Sequence, residues 1–147
     1  MCGSHQEMRM NTRKILVVDD DPTVLHCCQR ILEPEDYHVS CVPSADDAFD
    51  NLEMGYFDLM IMDVKMPEQD GFYLLRKVRE KWPLDRFLEL PVLVMTGYPT
   101  QETLRELKKG GARQIISKPF TPDELLAAVK IALERSKRNG EEKSIGD

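Results

Sequence analysis

Unbroken apolar runs alternate along this chain with stretches whose apolar residues fall at helical spacing. Ile15-Leu16-Val17-Val18, Leu59-Met60-Ile61-Met62 and Val92-Leu93-Val94-Met95 are wholly apolar. That is the pattern of parallel strands buried on both faces. Val39 to Val42 and Gln114 to Ser117 are shorter candidate strands. After the first run, Asp21 offers a helix N-cap with Pro22 at the first helical position. Val24, Leu25, Cys28, Ile31 and Leu32 then share one helix face. Ser44 caps a second helix ending near Gly55. A third is predicted from about Phe72 to Lys81, between a loop with Pro67 and Gly71 and a longer connection bracketed by Pro83 and Pro91. Thr100 opens a fourth, closed by Gly110-Gly111. Thr121-Pro122-Asp123-Glu124 is a capping-box start, and Leu125, Leu126, Val129, Ala132 and Leu133 form the stripe of the last helix.

Five strands alternating with five helices argue for an α/β fold, a parallel sheet covered on both faces. Right-handed crossovers leave few topologies. The chain has 147 residues, enough for one domain with its own core. That domain is placed at residues 13–136. Residues 1–12 read as a flexible polar arm, and 137–147 as a charged tail or the start of a linker.

Composition narrows the function. Apolar residues make up 41% of the chain, a globular composition. Acidic residues outnumber basic ones 26 to 20, so direct nucleic-acid binding is not expected, whereas cation binding is compatible. No run is long enough to span a bilayer, and the N-terminus lacks a signal-like apolar core. The four cysteines, Cys2, Cys27, Cys28 and Cys41, form no CxxC pair. Free thiols in a reducing cytoplasm are the expectation, rather than a zinc site or a disulfide framework.

In an open α/β sheet, ligands bind beyond the carboxyl ends of the strands. The polar residues found there are Asp19, Asp20 and Asp21 after the first strand and Asp63 after the third. Thr96 follows the fourth, and Ser117 and Lys118 follow the fifth. Carboxylates at 19, 20 and 63 cannot all ionise close together without a counterion. Mg2+, or Mn2+, is the hard cation that suits them. A carboxylate can also be the nucleophile in phosphoryl transfer. Lys118 can pair with a phosphoryl oxygen and Thr96 can donate to another, and positioning with charge neutralisation is most of what the transfer needs. Taken singly, each is an ordinary loop residue. Asp21 is assigned as a cap and Asp58 as a turn residue. The methionines are core filler, and His26 and His38 are ordinary helix and strand residues. Convergence at the correct strand ends is what sets the other five apart.

The segments VVDDDP, DLMIMDVKMPEQDG, VLVMTG and SKPF, in this order and spacing, resemble the receiver domains of bacterial two-component response regulators. The resemblance runs from about Arg13 to Arg135. It implies the flavodoxin-like (βα)5 fold with strand order 2-1-3-4-5. It also implies a phosphoacceptor at Asp63, three residues before Met66-Pro67, and an acidic pair at Asp19 and Asp20. The switch hydroxyl falls on Thr96 and the lysine on Lys118. The resemblance adds the backbone carbonyl of Lys65 as a metal ligand, a cis Lys118-Pro119 peptide, and a small Gly97 that leaves the pocket open.

One position departs from the family. The strand-five aromatic is replaced by Ile115, whose stiff branched side chain is expected to stay buried. Tyr98, in the loop with Pro99, is the candidate substitute in the switch. The implied output is the face formed by the fourth helix, fifth strand and last helix. The implied partners are a sensor histidine kinase or phosphotransfer protein, a downstream effector domain or protein, and a second copy on phosphorylation.

Two alternatives belong to other classes. A haloacid-dehalogenase-type phosphatase would carry DxDxT after its first strand, where this chain has DDDPT. A degenerate receiver would bind partners without phosphorylation, yet all five site residues are intact. In the receiver reading the chain is no enzyme beyond its own phosphorylation and dephosphorylation.

Overall fold

The structure, a computed structural model, describes residues 12–64, 71–81, 90–97 and 100–146. The five strands are β1 (Lys14–Val18), β2 (His38–Val42), β3 (Leu59–Asp63), β4 (Val92–Thr96) and β5 (Gln114–Ser117). They pair in the order β2-β1-β3-β4-β5, all parallel. The helices are α1 (Pro22–Leu32), α2 (Ala45–Met54), α3 (Gly71–Lys81), α4 (Gln101–Lys109) and α5 (Pro122–Gly146), with a 3₁₀ turn at Glu33–Glu35.

The unbroken apolar strands have a direct packing cause. Side chains alternate across a strand, so every second residue faces one layer of helices. Leu16, Val18, Met60, Met62, Val92 and Val94 pack with α2, α3 and α4. Ile15, Val17, Leu59, Ile61, Leu93 and Met95 pack with α1 and α5. Met60, Met62 and Met95 are fully buried filler, as expected.

The helix starts follow their caps. Asp21 accepts from the Thr23 amide, Ser44 from Asp47, and Thr100 from Thr103. Thr121 and Glu124 form a reciprocal capping box at 3.1 and 2.8 Å. Asp58 is the expected turn residue: its carboxylate accepts from the Lys14 amide at 2.8 Å, and its own amide donates to the Lys14 carbonyl at 2.8 Å. Together these bonds tie the start of β3 to β1.

Helix α3, Gly71–Lys81, matches the helix predicted from about Phe72 to Lys81. Helix α5 continues to Gly146. The apolar stripe used to mark its end stops at Leu133. The backbone helix goes on without it. Ile115 is half-buried rather than buried, because β5 is an edge strand with one neighbour. It still packs against the α2–α3–α4 layer. One contact had no sequence expectation. Lys77 of α3 sits 4.7 Å from the Phe49 ring centroid of α2 and 5.4 Å from that of Tyr73.

Candidate functional site

Among the described residues, the buried polar or charged side chains are Asp19, Asp63 and Thr96. All three stand at the carboxyl ends of the central strands. Asp63 is the last residue of β3 and Thr96 the last of β4. Asp19 directly follows β1, and its amide still continues the sheet ladder to the Val42 carbonyl at 3.2 Å. Lys118 directly follows β5, its amide bonded to the Thr96 carbonyl at 2.8 Å. The ladder therefore places four of the five expected groups before any side chain contributes.

Asp19, Asp20 and Asp63 each offer a carboxylate oxygen, and these lie within 4.8 Å of one another. Asp20 is exposed, Asp19 and Asp63 buried. Lys118 Nζ donates to Asp19 Oδ2 at 2.7 Å and to Asp63 Oδ2 at 2.8 Å. Asp19 Oδ1 accepts from the Asp21 amide at 2.9 Å. Asp21 thus has a second role beyond its cap. It is played by a backbone N–H, so the identity of residue 21 gave no signal of it.

Burial pushes the Asp19 carboxyl up. The Lys118 hydrogen bond and the Asp21 amide oppose that shift, and the Asp63 charge adds to it. Burial pulls the Lys118 ammonium down, but its bonds to Asp19 and Asp63 together outweigh this and hold it above its ordinary value. Lys118 is therefore charged at neutral pH. Cys28 is buried close enough to feel Asp19 and Lys118, and burial pushes its thiol up to about 12. The thiols of Cys27, Cys28 and Cys41 are free, as expected.

The Lys118-Pro119 peptide is cis, as expected. Gly97 follows Thr96 at a bend, and a Cβ there would meet nothing within 4 Å among the described residues. Lys65, Tyr98 and Pro99 lie outside the described residues. The donor set fits a hard divalent cation: it is all oxygen, anionic, and gathered from two strand ends.

Residues 15–130 match the response regulator receiver domain family. The chain is 37% identical over 116 residues to a 14.6 kDa protein encoded 3′ of sodA1 in Leptolyngbya boryana, covering 79% of this chain and 86% of that one. It is 33% identical over 135 residues to the transcriptional regulatory protein BasR of Escherichia coli, covering 90% of this chain but 57% of that one. It spans only 26% of the hydrogenase transcriptional regulatory protein HoxA of Bradyrhizobium diazoefficiens, at 34% identity over 90% of this chain. A CheY-like receiver domain protein from Methanospirillum hungatei superimposes with a TM-score of 0.78 at 30% identity, over 87% of this chain and 98% of that one. Among the described residues, no helix is long and apolar enough to cross a membrane.

Proposed function

The chain belongs to the response regulator receiver domains of two-component systems, and from that premise we propose that it is a phosphorylation switch whose acceptor is Asp63. The observation that carries this reading is the gathering of Asp19, Asp20 and Asp63 within 4.8 Å, with Lys118 bridging two of them.

The expected donor is a phosphohistidine on a sensor kinase or phosphotransfer protein. An Asp63 oxygen forms the new P–O bond as the P–N bond breaks. The departing imidazole nitrogen takes up a proton. Water later cleaves the acyl phosphate, returning the carboxylate and inorganic phosphate. Asp19, Asp20, Asp63 and the Lys65 carbonyl would hold Mg2+ or Mn2+, which when bound supplies charge neutralisation at the phosphoryl oxygens. Lys118 reaches Asp63 already and can pass to a phosphoryl oxygen. The Thr96 hydroxyl gains a charge-assisted partner there, and Gly97 leaves room for it.

The switch then leaves the pocket through Thr96 and Tyr98 toward the α4–β5–α5 face, with Ile115 held in place. That face meets an effector domain, a separate protein or a second copy. The free thiols accord with a cytoplasmic setting.

A small phosphodonor with Mg2+ tests the reading. One phosphoryl group per chain, absent in Asp63→Asn, is expected. Donor turnover that persists in Asp63→Asn would mean an enzyme with another nucleophile. No labelling would mean a module that binds partners without phosphorylation.

A further inference from the structure

Two thiols from different elements converge on one main-chain carbonyl. Cys41 of β2 donates its S–H to the Leu25 carbonyl of α1 at 3.6 Å. Cys28 stands three residues after Leu25 on α1. Helical side chains three apart share a face and lean back toward the N-terminus. The Cys28 side chain therefore leans over the turn whose carbonyl Cys41 already reaches. Both residues pack in the same apolar cluster, Cys28 buried within it and Cys41 half-buried at its edge. They are close enough that a charge on Cys41 pushes the Cys28 thiol up.

We propose that Cys28 and Cys41 form a modification site, at which a hydroperoxide oxidant closes a reversible disulfide that staples α1 to β2.

The physical case has three parts. The two thiols differ in access. Half-buried Cys41 is the one a small oxidant meets first, and buried Cys28 is the one that resolves. The Cys41 sulfur attacks one peroxide oxygen as the O–O bond breaks, giving a sulfenic acid and water. The Cys28 sulfur then attacks the Cys41 sulfur, the S–OH bond breaks, and a second water leaves. Two electrons pass from the thiols to the peroxide, and a thiol reductant reverses the change.

The elements can also adjust to the bond. β2 is an edge strand paired only with β1, so a small closing movement against α1 leaves the central strands in place. Finally, the bond has a target. Val42, next to Cys41, accepts the Asp19 amide at 3.2 Å, and α1 starts at the Asp21 cap. The staple would fix α1 against β2 directly beneath the strand end that carries Asp19. Burial pushes both thiols up. The reaction is therefore slow near neutral pH and faster in mildly alkaline buffer, since the thiolate is the nucleophile.

The test treats the folded full chain with hydrogen peroxide in mildly alkaline buffer, then blocks the remaining thiols. Non-reducing tryptic mapping should find residues 15–30 joined to residues 31–65 within one chain. The link should persist in Cys27→Ser, which separates Cys28 from its exposed neighbour. It should vanish in Cys28→Ala and in Cys41→Ala, and dithiothreitol should reverse it. The oxidised wild type should melt about 5 °C or more above the reduced chain, as expected for a cross-link that closes a loop of this order.

Mapping of the wild type decides the matter even if the alanine variants do not fold. A link that is lost in Cys27→Ser, a link found only between chains or only after unfolding in urea, or Cys28 and Cys41 both left free overturns the proposal. An oxidised chain that melts below the reduced one overturns the staple as well. Labelling of Asp63 by a small phosphodonor is a separate measurement, so failure here leaves the phosphoacceptor reading standing.

Discussion

Lys118 and Asp63 are 55 positions apart in the chain, yet their ammonium and carboxylate meet at 2.8 Å. The Lys118 side chain is 22% exposed and that of Asp63 11%, so the pair is only lightly screened. The neighbouring strands β3, β4 and β5 end in register, which brings the two residues to one rim. This contact joins the chemistry of the third strand end to that of the fifth.

Asp63→Asn should abolish acyl-phosphate formation, because an amide oxygen is a poor nucleophile. The variant should keep the fold, since the amide can still accept a hydrogen bond from Lys118. Intact-mass analysis with a small phosphodonor and Mg2+ reads the outcome. A phosphoryl group still found on the same peptide of the variant would show that the acceptor is misassigned.

Asp20 and Asp21 are adjacent and both exposed, but they should behave oppositely. Asp20→Ala should weaken Mg2+ binding by about tenfold or more, since it removes one carboxylate from a site that holds few. Asp21→Ala removes the side chain that caps α1 and should cost about 1 kcal/mol of stability. Its amide, which serves Asp19, remains, so Mg2+ affinity should hold within about twofold. Equal losses of affinity in the two variants would mean that cap and ligand have been exchanged.

The Cys28 thiol, pushed up to about 12 by burial, gives a pH signature. Above its ordinary value of 9.0 the unfolded chain loses this proton while the folded chain keeps it. The folded state then holds more protons, so stability falls as pH rises between 9.0 and about 12. The slope attributable to this group approaches about 1.4 kcal/mol per pH unit. Cys28→Ala should be less stable at neutral pH, having lost packing, but should show the shallower decline above pH 9. Urea denaturation of both proteins across that range measures it, and parallel slopes would refute it. In the native protein a thiol reagent should modify exposed Cys27 well before Cys28.

Tyr98→Ala should leave Asp63 labelling intact. It should reduce the phosphorylation-dependent gain in partner binding or self-association, if Tyr98 carries the role that the strand-five aromatic would otherwise fill. Ile115 is half-buried against the α2–α3–α4 layer and has no polar tip to exchange between two positions. A gain that survives unchanged in Tyr98→Ala would place the coupling elsewhere on the α4–β5–α5 face.

The sequence by itself determined the elements and the chemistry offered at each strand end. Apolar runs with period-two packing and helical stripes are local signals, as are the caps at Asp21, Ser44, Thr100 and Thr121, and all four caps are present. Strand order needed the family resemblance, because alternation alone is compatible with several parallel arrangements. Local signals were also incomplete at two ends. The stripe of α5 stopped at Leu133 while its backbone continued to Gly146, and Ile115 read as core although it lies on an edge strand. Only the tertiary structure decided how the pocket is wired. Lys118 shares itself between Asp19 and Asp63, and the Asp21 backbone takes the remaining Asp19 oxygen. Those bonds depend on the register of strands far apart in sequence and on main-chain donors whose side chains carry no trace of the task. Distance between residues 19, 63 and 118 is a property of the closed sheet, and so is the burial that makes their charges matter.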